Sequence, residues 1–206
     1  MGVMARPRFH RLPAEQQRAI MAAALEEFAA HGFAAASLNR IIETAGISKG
    51  SMYYYFDGKD DLYADVIRGQ LEALVARTGP VPVPDPVDAD AFWDELQDLY
   101  LRLMRELGRA PEAAALLRDW LTGSGGPSLR DAAQEATEAT MPWLVQAIAA
   151  GQRVQAVRSD IPAELIIALA MGLAQAIDSW LVTRPPSDLD AAVVTLMGTM
   201  RRALGP

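Results

Sequence analysis

The residues best equipped for chemistry in this chain run from Gly46 to Phe56: Gly46-Ile47-Ser48-Lys49-Gly50-Ser51-Met52-Tyr53-Tyr54-Tyr55-Phe56. Their types suit the binding of a charged polymer. Ser48 is a helix N-cap, since its hydroxyl can accept from a free backbone N–H. Met52 and Phe56 lie four apart and share one inward face. Gly50, Tyr53 and Tyr54 then point elsewhere, because four consecutive aromatic positions of a helix cannot all face a core. Lys49 brings a positive charge to the helix start, where free N–H groups attract phosphate. Gly50 lets the backbone approach closely. Ser51 can bond a base edge or a phosphate. Tyr53 and Tyr54 offer flat faces to sugar or thymine methyl and a hydroxyl to phosphate. Tyr55 and Lys59 reach backbone oxygens from the flank. Such a helix fits the major groove of duplex DNA.

A second cluster precedes it. Ser37 is an N-cap candidate, Asn39 can read adenine, and Arg40 can read guanine or hold a phosphate. Arg6, Arg8 and Arg11 form either an arm for the minor groove or a solvated tail. Catalytic and metal chemistry find little support. The chain has no cysteine and two histidines, His10 and His31, and neither histidine has partner ligands at zinc spacing. Glu112, Asp119, Glu135 and Glu138 read as a solvated face. No nucleophile stands with a base. No cofactor and no metal are expected.

Helices must position these groups. Strand-like alternation is missing, and glycine and proline fall between periodic segments. A first helix is predicted from Pro13 to Ala30, closed by Gly32 as a left-handed C-cap. A second covers Leu38 to Ala45 and is broken by Gly46. The third covers Lys49 to Tyr55. Two short helices joined by a glycine-containing turn make a helix-turn-helix. A longer helix spans about Lys59 to Ala76. Thr78 to Pro86 then holds four prolines in nine residues, a loop or stiff linker. Further helices are predicted at Ala89 to Leu107, Pro111 to Leu121, Ser128 to Val154, Pro162 to Val182 and Leu189 to Leu204. Pro142 should kink or split the third of these, and Ser187-Asp188 should cap the last. The expected division is an arm and DNA-binding domain over 1–58, a connecting helix over 59–77, a proline-rich loop over 78–88 and a helical domain over 89–206.

The charge pattern agrees. The 206 residues carry a net charge of −7. Residues 1–59 hold seven Lys/Arg against five Asp/Glu, and the remainder twelve against twenty-one. Screening beyond a Debye length of about 8 Å lets a phosphate respond to the basic end. No secretory signal is apparent, and the apolar stretch Ile161 to Val182 is interrupted by Glu164, Gln175 and Asp178. A cytoplasmic protein with no membrane span is the expectation.

The run from Arg18-Ala19-Ile20 through Phe28, Gly32-Phe33, Ser37-Leu38, Ile41, Ala45 to Ser51, Tyr53 to Phe56, Lys59 and Leu62-Tyr63 resembles the DNA-binding domain of TetR-family transcriptional regulators. The resemblance covers residues 13 to 67. It implies an all-α protein of about nine helices: an N-terminal three-helix, helix-turn-helix domain, and a C-terminal helical domain for ligand binding and dimerisation. It implies a homodimer on a palindromic operator, joined through the last two helices (about 162–182 and 189–204), whose small and aliphatic residues allow close packing. An unknown effector, hydrophobic in character, would release a repressor, with the helix from Lys59 as lever. Candidate pocket residues are Trp93, Trp120, Trp143, Met171, Gln175 and Asp178. The tryptophans can equally pack between helices, and Gln175 and Asp178 can equally face a partner or solvent. Two other readings stand beside this one: an activator or architectural DNA binder without a ligand, and a small helical enzyme with a DNA-binding head.

Overall fold

A computed structural model describes residues 8–121 and 127–206. Among the described residues every regular element is helical. A 3₁₀ turn, Phe9–Arg11, precedes nine α-helices: α1 Ala14–Ala35, α2 Leu38–Thr44, α3 Lys49–Tyr55, α4 Lys59–Thr78, α5 Ala89–Gly108, α6 Pro111–Leu121, α7 Pro127–Arg153, α8 Ala163–Thr183 and α9 Leu189–Leu204.

The starts follow the cap chemistry. Ser37, Ser48, Asp88 and Asp188 each accept from the backbone N–H three residues on, satisfying a donor that the helix leaves open. The turn between α2 and α3 is a Schellman motif. Gly46 takes φ +66°; its N–H reaches Glu43 O at 3.1 Å, and Ile47 N–H reaches Ile42 O at 3.2 Å. Only glycine enters that left-handed conformation without strain. Ile42 and Ile47 both lie against the apolar core, so the turn is closed by burial as well as by hydrogen bonds.

Two predictions differ in detail. Gly32 does leave helical geometry at φ +66°, but a further turn, Phe33–Ala35, follows it instead of the helix ending there. The cause is distant in sequence: the Asp119 carboxylate on α6 accepts from Phe33 N–H at 2.8 Å. Of the kink or split expected at Pro142, the split does not occur: the residue lies inside α7.

The chain divides into two compact units, Met1–Ala73 with Ala110–Thr137, and Leu74–Arg109 with Glu138–Pro206. Residues 110–137 thus join the N-terminal helices, where the sequence had grouped them with 89–206. In the first unit, Ile20, Phe28, Ile41, Met52, Phe56, Leu62, Tyr63 and Leu116 form a common core. Asp119 also accepts from Tyr63 Oη at 2.8 Å, which ties α6 to α4 as well as to α1. The phenol is buried, and burial with the facing carboxylate raises its pKa far above the ordinary value. In the second unit, Phe92, Trp93, Leu101, Ile148, Ile166, Val193 and Met197 form the core, supplied by α5, α7, α8 and α9.

Candidate nucleic-acid interface

α3 is built with two unlike sides. Met52 and Phe56 are fully buried, whereas Tyr53 and Tyr54 are 48% and 49% exposed. Burying two side chains of that size removes roughly 2–3 kcal/mol of exposed apolar surface each, which fixes the rotation of the helix and aims the neighbouring rings outward. Ser48 Oγ accepts from Ser51 N–H at 3.0 Å and lies 2.8 Å from Ser51 Oγ. Lys49 and Gly50 are exposed at the helix start. Gly50 has just Ser48 Oγ, at 3.8 Å, near the place a Cβ would occupy, so nothing screens the backbone there. Tyr55 is different: half-buried, it packs against Phe9 at 6.3 Å between ring centroids.

The α2 candidates are organised by a residue the sequence reading passed over. Glu27 on α1 is 8% exposed. Its carboxylate accepts from Arg40 Nε at 2.9 and 3.0 Å and from Arg40 Nη2 at 2.5 Å. It also accepts from Ser37 N–H at 2.6 Å. Hydrogen bonding from Arg40 outweighs the effect of burial and, with the Ser37 bond, lowers the Glu27 pKa from 4.5 to about 2. Arg40 therefore presents its remaining edge from a fixed position. Ser37 Oγ caps α2 at 3.4 Å from Arg40 N, and Asn39 is exposed. The signal for Glu27 was an acid at a position where α1 turns inward, beside Phe28.

Lys59 serves the fold. Its ammonium donates to Ala34 O and Ala36 O, each at 3.1 Å, and lies 4.8 Å from the Phe33 ring centre. Those carbonyls end α1, where a cation is favoured. Of the basic arm, Arg6 lies outside the described residues. Arg8 and Arg11 are exposed, flanking a buried Phe9.

The pocket candidates fall into both units. Trp120 packs against the core of the first. In the second, Trp93 is buried against Phe92 at 5.1 Å, and Trp143 Nε1 donates to Pro82 O at 2.9 Å. Met171 is half-buried and Gln175 exposed. Asp178 accepts from Tyr100 Oη at 2.5 Å. Desolvation raises the Asp178 pKa, and burial followed by the carboxylate sends that of Tyr100 well beyond its usual value. Tyr100 was missed, although it is the one tyrosine beyond residue 63 and a buried phenol needs a partner. No cluster of three or more metal-ligating side chains occurs among the described residues.

Several known proteins are similar to this chain. Residues 20–66 match the profile described as bacterial regulatory proteins, tetR family. The chain is 32% identical over 121 residues to the HTH-type transcriptional regulator RutR of Escherichia coli K12, covering 56% of this chain and 52% of that one. It thus spans about half the length of this curated relative. It is 28% identical to the HTH-type transcriptional activator FasR of Mycolicibacterium smegmatis over 96% of this chain and 86% of that one. In fold it is similar to the transcriptional regulator FadR of Bacillus subtilis, solved with stearoyl-CoA: TM-score 0.69, 18% identity, 90% of this chain and 98% of the other.

Proposed function

We propose that this chain, whose residues 20–66 match the profile of bacterial tetR-family regulatory proteins, is a homodimeric transcriptional repressor of that family and not an enzyme. It reads a palindromic operator and is released by a small, predominantly hydrophobic effector. The observation that carries this reading is the two-sided α3: Met52 and Phe56 fully buried, Tyr53 and Tyr54 half exposed, Lys49 and Gly50 open at its start. Residues 1–58 form the reading domain, with Ser37, Asn39, Arg40, Ser48, Lys49, Gly50, Ser51, Tyr53 and Tyr54 facing DNA. Tyr55 and Lys59 support them from within the fold. Two copies would place their α3 helices in successive major grooves, which sets half-sites about one helical turn apart. The location of action is the cytoplasm.

The effector reading rests on the Tyr100–Asp178 pair, a part-buried polar contact beside the apolar core of the second unit. An apolar ligand with one hydrogen-bonding group fits that chemistry. Stearoyl-CoA, present in the FadR structure, makes long-chain acyl compounds the first class to try. Release requires the effector to bind the DNA-incompetent form better than the competent one. Couplings of this kind change operator affinity by roughly 5- to 150-fold.

The test begins with sequencing genomic fragments retained by the purified protein. Lys49→Ala and Tyr53→Ala should then weaken binding to the recovered duplex with helix content unchanged; wild-type affinity in both variants rejects the reading. The name of FasR, an activator matched over nearly the whole chain, supports a second reading as activator. In vitro transcription from the recovered promoter separates them: a repressor lowers the transcript and an activator raises it.

A further inference from the structure

Residues 8–13, just ahead of α1, are fastened to the reading domain. Phe9 is 4% exposed and packs on Phe56 at 5.0 Å and on Tyr55 at 6.3 Å between ring centroids. Gln17 on α1 donates to Leu12 O at 2.8 Å and to His10 O at 3.3 Å. From residue 8 onward, then, the backbone is held by a buried ring on one side and a side-chain amide on the other. Arg8 belongs to this stretch. Its guanidinium carbon lies 4.3 Å from the centre of the Tyr54 ring, and that ring is half exposed on the outer side of α3.

Three cations of the same unit are engaged within the fold. Arg40 is taken up by Glu27, Lys59 by two carbonyls, and Arg68 by Asp65 and Glu135. Arg8 has no carboxylate partner among the described residues. A guanidinium over an aromatic face is attracted by the ring and spends none of its N–H donors on that contact. Those donors suit the paired oxygens of a phosphate.

We propose that Arg8 is a phosphate-contacting residue of the DNA interface, held beside α3 by the Phe9 anchor and the Tyr54 face. The reading surface then extends from α3 to the root of the N-terminal arm, and Tyr54 acts in two ways, meeting DNA itself and positioning a charge. This inference rests on the operator-binding reading above and adds a contact to it.

The experiment uses the full-length protein and the fluorescein-labelled duplex recovered by genomic selection. Anisotropy titrations are run over roughly 50 to 200 mM KCl, the range in which phosphate contacts separate most clearly. Arg8→Ala should bind about tenfold more weakly at the low end, and its slope of log affinity against log salt should be shallower by about 0.9, one neutralised phosphate. Arg8→Lys, which keeps the charge but loses the fork, should keep the slope while losing part of the affinity. Arg77→Ala, an equal change of charge at an exposed position late in α4, should match wild type. Wild-type affinity and slope in Arg8→Ala overturn the proposal. So does weaker binding with an unchanged slope, the mark of a packing role alone. Should Arg8→Ala melt lower than wild type, Arg8→Gln repeats the slope measurement with the side-chain length kept. A wild-type protein that retains no duplex at all defeats the regulator reading and this one with it; a wild type that binds while Arg8→Ala is unaltered defeats this one alone.

Discussion

The Glu27–Arg40 pair shows how a single buried acid decides what a surface cation can do. Arg40 spends Nε and Nη2 on Glu27, which leaves one edge of the fork for a phosphate or a guanine and removes most of the side chain's rotational freedom. Lys49 carries the opposite lesson. A cation in the first turn of a helix opposes the macrodipole, and no compensating carboxylate is seen beside it among the described residues. On the proposed reading, an operator phosphate would supply the missing compensation. Glu27→Gln should destabilise the protein by about 1–2 kcal/mol at neutral pH, since it weakens charge-assisted hydrogen bonds whose partner is half exposed. The pH dependence has a definite sign. The folded-state pKa is lowered, from 4.5 to about 2, so the stabilisation is complete above pH 4.5 and disappears as pH falls toward 2. Urea unfolding of both proteins between pH 7 and 2 should show the gap between them closing over that window. Buried Asp61, whose pKa is raised by desolvation, titrates with the opposite sign in both proteins and cancels in the difference. A gap independent of pH refutes the assignment.

Among the elements, the sequence was most readable where a signal is local. Ser37, Ser48 and Asp188 cap the helices they were expected to cap, and Gly46 supplies the left-handed residue of the helix-turn-helix. What could not be read is what depends on partners far along the chain. Asp119 bonds Phe33 N–H and Tyr63 Oη from 86 and 56 residues away, and this carries the chain past Gly32 and draws α6 into the first unit together with Trp120. Periodicity names the apolar face of a helix and leaves open which neighbour will cover it. Two glycines separate local from distant demands. At Gly46 a Cβ would meet nothing within 4 Å, so Gly46→Ala should cost about 1 kcal/mol from backbone conformation alone; Gly46→Asn, better tolerated at positive φ, should cost less. At Gly151 a Cβ would lie 2.5 Å from Val157 Cγ2 and 2.7 Å from Phe92 Cζ, so Gly151→Ala should cost roughly 1–3 kcal/mol through overpacking. Chemical denaturation gives both values. Equal costs for Gly46→Ala and Gly46→Asn count against the turn assignment.

At the scale of the whole molecule, the proposed operator reading by two heads would require a dimer, and α8 and α9 carry the features expected of its interface. Leu165, Leu169 and Trp180 on α8 are 48%, 40% and 41% exposed, and Val194 on α9 is 52% exposed. Leu165, Leu169, Gly172, Ala176 and Trp180 follow one another at helical spacing, a stripe on which Gly172 has open space where a side chain would stand. α8 also has the length and apolar composition of a membrane span; its opposite side, Ile166, Ala170 and Ile177, is buried within its unit, the pattern of a helix covered by protein on one side and awaiting a partner on the other. Composition made the helix legible as a packing element, but the choice between a neighbour in the same chain and a second copy depends on which side is left bare, and that needs coordinates. Leu169→Glu places a charge on the bare side. In a two-fold interface each copy brings the same change, so two buried, unpaired carboxylates would oppose association. The variant should sediment as a monomer at micromolar concentration where wild type sediments as a dimer, with its circular dichroism unchanged because the side chain is solvated in the separate subunit. Operator affinity should fall by at least about a hundredfold, since the second half-site contact ceases to be intramolecular. Half-site affinity should survive, because α2 and α3 are untouched, and a single-half-site duplex should bind wild type and variant alike. A dimeric Leu169→Glu protein with full operator affinity would move the interface away from α8.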